Sequence, residues 1–109
     1  MEFCKVDGCS INYSKIPKNC KYMEKSFRKY LQTGVKPGGF AYSLLCNDLR
    51  GAVTRADEQN LASILEWIDW ITWEIPSMAH GSKKIVDRWI EHGGAKGFYS
   101  DQFIKLEVE

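Results

Sequence analysis

Apolar residues recur at helical spacing in four segments of this chain, and each segment carries signals for its start and its end. At 3.6 residues per turn, the pattern predicts helices over about 20–33, 38–55, 57–75 and 82–91. Asn19, Pro37, Asp57 and Ser82 are placed to start them, because each residue type favours a helix N-terminus. We therefore predict a mainly α fold, a compact bundle of about four helices.

The ends of the chain lack this periodicity. Residues 1–18 are predicted to be an irregular N-terminal extension, because Asp7-Gly8, Asn12 and Pro17 interrupt any regular pattern. Residues 95–109 are predicted to be a short extended tail. A chain of 109 residues is the length of one domain. We therefore predict a single domain over 1–109, with its helical core at 19–94.

The helix predicted over 38–55 has an unusual polar side. Ser43, Asn47, Arg50, Gly51 and Thr54 lie opposite its apolar residues. A glycine in the middle of a helix costs about 1 kcal/mol relative to alanine. Close packing of another helix would explain Gly51, and so would a ligand or partner pressed against this side.

The helix predicted over 57–75 is apolar on two sides. One side is a stripe of aliphatic residues, namely Leu61, Ile64, Leu65, Ile68, Ile71 and Ile75. Trp67, Trp70 and Trp73 fan across the other side, where a surface helix would be polar. The fourth helix and tail, a second subunit or a stacking ligand could cover the indoles. We predict a homo-oligomer with these three tryptophans in its interface.

Charge and hydropathy narrow the range of partners. The chain has 15 basic and 14 acidic residues, so it lacks the basic field that duplex DNA or an anionic membrane surface would favour. Its apolar runs are all shorter than the roughly 20 residues of a membrane span. The first ten residues contain no apolar block of the kind found in signal peptides. We expect a cytoplasmic protein that binds neither membranes nor duplex DNA.

Candidate catalytic chemistry is sparse. Cys4, Cys9, Cys20 and Cys46 could be free thiols, zinc ligands or disulfide partners, and their spacing in a reducing cytosol favours free thiols. The two histidines belong to no recognised catalytic motif. We predict no catalytic residues, no metal site, no cofactor and no enzymatic activity.

One helix start has the composition of an anion site. Gly81, Ser82 and Lys83 combine backbone N–H groups, a hydroxyl and a cation at the positive end of a helix dipole. An ordinary capped helix would have the same composition. Arg55 is a second candidate cation, near the end of its predicted helix.

A combination of short motifs over about residues 22–94 resembles a widespread family of small proteins encoded by bacteriophages. The motifs are Lys36-Pro37-Gly38-Gly39-Phe40, Leu45-Cys46-Asn47-Asp48-Leu49, Ala52, Arg55-Ala56-Asp57, Asn60, Pro76, Gly81-Ser82 and Trp89-Ile90. Relatives often have an aromatic residue before the Gly-Ser pair, where this chain has His80. The resemblance implies an accessory phage gene product that acts in the cytoplasm of the infected bacterium.

The resemblance further implies a role against host defence, as a protein that sequesters a cyclic or otherwise phosphorylated nucleotide signal without cleaving it. Such a ligand needs cations or helix starts for phosphate, an aromatic face for the base and polar groups for base edges. The candidate ligand-binding residues are Asn47, Arg55, Asn60, Trp73, Gly81, Ser82 and Lys83. Two alternatives stay open: a protein-binding inhibitor of a defence complex, and a structural or regulatory phage protein without a small ligand.

Overall fold

The computed structural model describes residues 11–97, and this part of the chain is mainly helical. The predictions for Cys4 and Cys9 concern residues outside this range. Most of the tail predicted to be extended over 95–109 also lies outside it, but residues 95–97 belong to a helical turn, which corrects the prediction there. The helices are α1 (Glu24–Thr33), α2 (Gly39–Leu45), α3 (Leu49–Arg55), α4 (Glu58–Ala62), α5 (Ile64–Glu74) and α6 (Lys83–Glu91). Three 3₁₀ segments (Tyr13–Lys15, Lys18–Met23, Ser77–Ala79) and a helical turn at 94–97 complete the described part.

The first predicted helix ends where expected but starts later. Gly34 has a φ of +74° and its N–H bonds back to the carbonyl of Tyr30, which makes it the left-handed cap of α1. The predicted cap Asn19 is wrong, because it lies inside a 3₁₀ segment. Cys20 interrupts that segment with non-helical backbone angles, and α1 begins only at Glu24.

The helix predicted over 38–55 is in fact two helices, α2 and α3. Asn47, between them, has a φ of +63°, a left-handed conformation that asparagine tolerates better than most residues. Asp48 then caps α3, because its Oδ1 accepts a hydrogen bond from the N–H of Gly51 at 3.0 Å. The Asn-Asp pair therefore turns the chain at a point where hydrophobic periodicity alone predicts a continuous helix.

The helix predicted over 57–75 also divides, at Ser63, into α4 and α5. Its predicted cap is confirmed, since Asp57 Oδ1 accepts from the N–H of Asn60 at 2.8 Å. These two breaks explain why the structure has six named helices where about four were predicted. Within residues 11–97, no helix has the length and apolar character needed to cross a membrane.

The buried side of α5 combines residues from both of its predicted apolar sides. Trp67 and Trp70 are 0% and 2% exposed, and both contact the ring of Phe27, with centroids 5.0 and 5.2 Å apart. Trp67 and Trp70 therefore belong to the core of one chain, which corrects the prediction that they form a subunit interface. From the aliphatic stripe predicted to be core, Ile71 and Ile75 are buried, whereas Leu61 and Leu65 are exposed.

The end of α1 meets the end of α6 through glycine backbones. An ideal Cβ placed on Gly34 would lie 2.7 Å from the backbone N of Gly94, and one on Gly94 would lie 2.5 Å from the backbone N of Gly34. Both residues have positive φ. The two chain segments can therefore approach this closely only because neither carries a side chain.

Candidate anion-binding site

A cleft of about 520 Å³ opens between α2, α3 and the first turn of α6, and we call it the Arg55 pocket. Among the residues that the structure describes, three basic residues and one carboxylate residue, Asp48, contribute to its wall. The lining residues are Lys36, Pro37, Gly39, Tyr42, Ser43, Cys46, Asp48, Arg55 and Lys83. The pocket is therefore a place where separate elements bring positive charge together.

Two glycines make room for the Arg55 side chain. An ideal Cβ on Gly39 would lie 2.9 Å from Arg55 Cδ, and one on Gly51 would lie 2.9 Å from Arg55 Nη1. Neither glycine has a positive φ, so the backbone conformation does not require glycine at these positions. The space required by Arg55 and by the Asp48 cap explains the helical Gly51, for which the sequence left two explanations open.

The guanidinium of Arg55 keeps hydrogen-bonding capacity for a ligand. Its Nη1 donates to the carbonyl of Gly51 at 3.2 Å and lies 3.5 Å from Ser43 Oγ. Within the described residues, no carboxylate oxygen lies within 4 Å of this guanidinium. A guanidinium has five N–H donors, so most of them remain available on this exposed side chain.

Lys83 is held by a small polar network at the edge of the pocket. Its Nζ donates to Asp87 Oδ2 at 2.7 Å, and the Tyr42 hydroxyl donates to Asp87 Oδ1 at 2.5 Å. The hydrogen bond from Lys83, followed by that from Tyr42, lowers the pKa of Asp87. The same Lys83–Asp87 bond raises the pKa of Lys83. Both groups are therefore charged at neutral pH, and Asp87 partly offsets Lys83.

The third cation rests on an aromatic ring. Lys36 Nζ lies 4.6 Å from the centroid of the Tyr42 ring, which is a cation–π geometry. The hydrogen bond to Asp87 raises the pKa of the Tyr42 hydroxyl, so this group stays protonated and donates. Burial raises the pKa of the neighbouring Cys46 thiol. The wall of the pocket is therefore positively charged, and the single hydroxyl proton of Tyr42 is already donated to Asp87.

Two of the predicted ligand residues, Arg55 and Lys83, meet in this pocket. Ser82 is next to it as the cap of α6, where its Oγ accepts from the N–H of Ile85 at 3.2 Å. Asn47 and Gly81 line a neighbouring cleft of about 310 Å³ between α3 and α5. Asp48 lies in the wall of both clefts, so the two are adjacent.

The structure places the other two predicted residues elsewhere. Asn60 is 3% exposed, and its Oδ1 accepts a hydrogen bond from Trp67 Nε1 at 3.0 Å, which gives it a structural role. Trp73 is 77% exposed and lines a separate small cleft with acidic Glu66 and Asp69. Neither side chain lines the Arg55 pocket.

Lys36, Tyr42 and Ser43 complete the pocket and were absent from the predicted set. Ser43 lies on the small polar side noted for residues 38–55, and Lys36 directly precedes the Pro37-Gly38-Gly39 turn. Those two signals were available in the sequence. The helical phase of Tyr42 predicts a core residue, whereas the packing of α2 beside α6 places its hydroxyl within hydrogen-bond distance of Asp87.

The comparisons with known proteins do not identify relatives: no family model matches the chain, and no curated protein or solved structure was found to be similar. Within residues 11–97, no group of three or more histidine, cysteine, aspartate or glutamate side chains is arranged to hold a metal ion.

Proposed function

We propose that this protein captures a small phosphorylated nucleotide in the Arg55 pocket and holds it without cleaving it. One observation carries the proposal. Arg55 is seated between Gly39 and Gly51, has no carboxylate partner among the described residues, and faces a cleft that Lys36 and Lys83 also line.

The physical chemistry of phosphate supports this ligand class. A guanidinium binds phosphate oxygens through two parallel hydrogen bonds, and lysine adds point charge. The pocket volume of about 520 Å³ is within the range of about 300–1,000 Å³ typical of small-molecule sites. Phosphate would contact Arg55 and Lys83, and the base would lie towards Tyr42, the aromatic side chain in the wall. Tyr42 thus replaces Trp73 as the aromatic side chain proposed to lie near the base.

The biological setting of the proposal comes from the resemblance to small bacteriophage proteins. A phage protein that sequesters a nucleotide immune signal needs tight binding and no turnover. The Arg55 pocket supplies cations and the guanidinium N–H donors of Arg55 for the first requirement. We therefore propose that the protein sequesters a nucleotide immune signal in the cytoplasm of an infected bacterium.

Titration calorimetry against a panel of cyclic dinucleotides, cyclic trinucleotides and ADP-ribose derivatives tests the proposal directly. We expect at least one to bind, and we expect Arg55→Gln to weaken that binding by roughly tenfold or more, since a hydrogen bond to a charged group contributes about 1.5–3 kcal/mol. Lys84→Gln is the matched control, because Lys84 is exposed and adjacent to Lys83 but does not line the pocket.

Three outcomes would count against the proposal. Absence of heat from the whole panel would reject nucleotide capture. An equal loss of binding in Arg55→Gln and Lys84→Gln would show only general attraction between charges. Third, if chromatography of the ligand released from the protein showed a cleaved product, capture without turnover would be rejected.

A further inference from the structure

Five large aliphatic side chains form an exposed apolar surface on α3, α4 and α5, which we call the leucine face. Leu65 is 77% exposed, Leu49 55%, Leu61 45%, Val53 40% and Ile68 38%. On α3 the two members are four residues apart, and along α4 and α5 the three are four and then three residues apart. Leu49 and Val53 therefore form one ridge along α3, and Leu65 and Ile68 form a second ridge along α5, which Leu61 precedes on α4 across the break at Ser63.

A groove separates the two ridges. The cleft of about 310 Å³ has Leu49 on one wall and Ile68 on the other, and its floor is apolar, with Leu44, Leu45 and Ile71. A protein surface with two ridges and a groove between them can receive a ridge of similar shape, which is how helices pack on one another. The leucine face is therefore complementary to a helix ridge like its own.

The charges beside the two ridges have opposite signs. Arg50 lies three residues before Val53 on α3, and Asp69 lies four residues after Leu65 on α5, so each charge is a helical neighbour of its ridge. Both are exposed, and within the described residues neither of them takes part in an ion pair. A twofold rotation that sets α3 of one copy against α5 of another would bring Arg50 opposite Asp69, twice per pair.

We infer that the leucine face binds a second copy of this chain. The α5 ridge of each protomer packs into the groove of its partner, and the α3 edge of each lies against the α5 edge of the other. The interface is isologous, with an apolar centre and a charged rim. It replaces the interface predicted at Trp67 and Trp70, which are buried inside one chain.

Sedimentation velocity of the full chain across the micromolar range tests this inference. We expect a dimer, and we expect Leu65→Glu to raise its dissociation constant at least about tenfold, because a carboxylate would replace buried apolar area. Trp73→Glu is the matched control. Trp73 is as exposed as Leu65, at 77%, but lies outside the leucine face, so the dimer should survive this change.

A charge exchange tests the orientation. Arg50→Glu and Asp69→Arg should each weaken the dimer by roughly two- to fivefold, and the double variant should restore it. A full chain that stays monomeric throughout the concentration range would overturn the inference, even if a different protein proved to bind the leucine face. Dissociation by Trp73→Glu with no effect of Leu65→Glu would overturn it as well. Circular dichroism of each variant confirms that its helices are intact.

Discussion

Replacing Gly94 by alanine should destabilise the fold through two separable effects. The first is the left-handed backbone, since Gly94 has a φ of +72°, and an L-residue there costs about 1–2 kcal/mol. The second is steric. A Cβ on Gly94 would lie 2.5 Å from the backbone N of Gly34 and 2.6 Å from that of Thr33. Both are backbone atoms that cannot rotate away, so overpacking adds about 1–3 kcal/mol.

Gly93→Ala is the control that separates the two effects. Gly93 also has a positive φ, of +82°, but a Cβ on this residue would have its nearest neighbouring atom 3.8 Å away. It should therefore lose only the backbone contribution. Urea unfolding followed by circular dichroism should give a difference between the two variants of about 1–3 kcal/mol, which is roughly 4–24 °C in melting temperature for a domain of this size.

Two results would contradict a steric role for the Gly34–Gly94 contact. If Gly93→Ala and Gly94→Ala lose the same free energy of unfolding, the close approach of α1 and α6 contributes nothing beyond backbone strain. A loss in Gly93→Ala larger than that in Gly94→Ala would contradict the steric role as well.

Contacts in the pocket and the core lead to two further predictions. Gly39→Ala should weaken nucleotide binding, because its Cβ would lie 2.9 Å from Arg55 Cδ. Gly38→Ala should leave binding unchanged, because its Cβ would have no atom within 4 Å. Titration calorimetry on both variants tests this difference. Asn60→Ala should cost about 1–3 kcal/mol in urea unfolding, because it leaves the buried Trp67 N–H without its acceptor, and a loss near zero would show that the bond is dispensable.

Single capping residues predicted the ends of helices better than hydrophobic periodicity predicted where a helix continues. Gly34, Asp57 and Ser82 were identified correctly because capping depends on local chemistry. The division at Asn47 was missed because its apolar neighbours keep helical phase through the turn. An Asn-Asp pair inside a periodic segment favours a left-handed residue followed by a helix cap. Tertiary packing selects this turn over the continuous helix that periodicity predicts.

The orientation of α5 could not be derived from periodicity, because both of its sides are apolar. Trp67 comes from one apolar side and Ile71 from the other, and both are buried, whereas Leu65, from the side of Ile71, is exposed. Which residues are buried depends on partners from distant parts of the chain, such as Phe27, and a pattern within one helix does not contain that information. The error in orientation led directly to the wrong choice of interface residues.

The candidate site was partly predictable for a related reason. Arg55 and Lys83 were identified as cations beside small polar residues, a local property. Their convergence, and the contribution of Tyr42, depend on how α2 packs beside α6, because Asp87, the partner of Tyr42, lies 45 residues further along the chain. Sequence therefore identified the charges of the pocket but not its aromatic wall.

The environment of the tryptophans also provides the protein with internal spectroscopic reporters. The indole N–H groups of Trp67, Trp70 and Trp89 donate to Asn60 Oδ1 and to the carbonyls of Asn12 and Tyr30, each at 3.0 Å, whereas Trp73 is 77% exposed. In a nuclear magnetic resonance spectrum, three indole protons should exchange slowly with deuterated water and one should exchange rapidly. The slow signals would report opening of the core, and the rapid one would report events at the outer surface of α5.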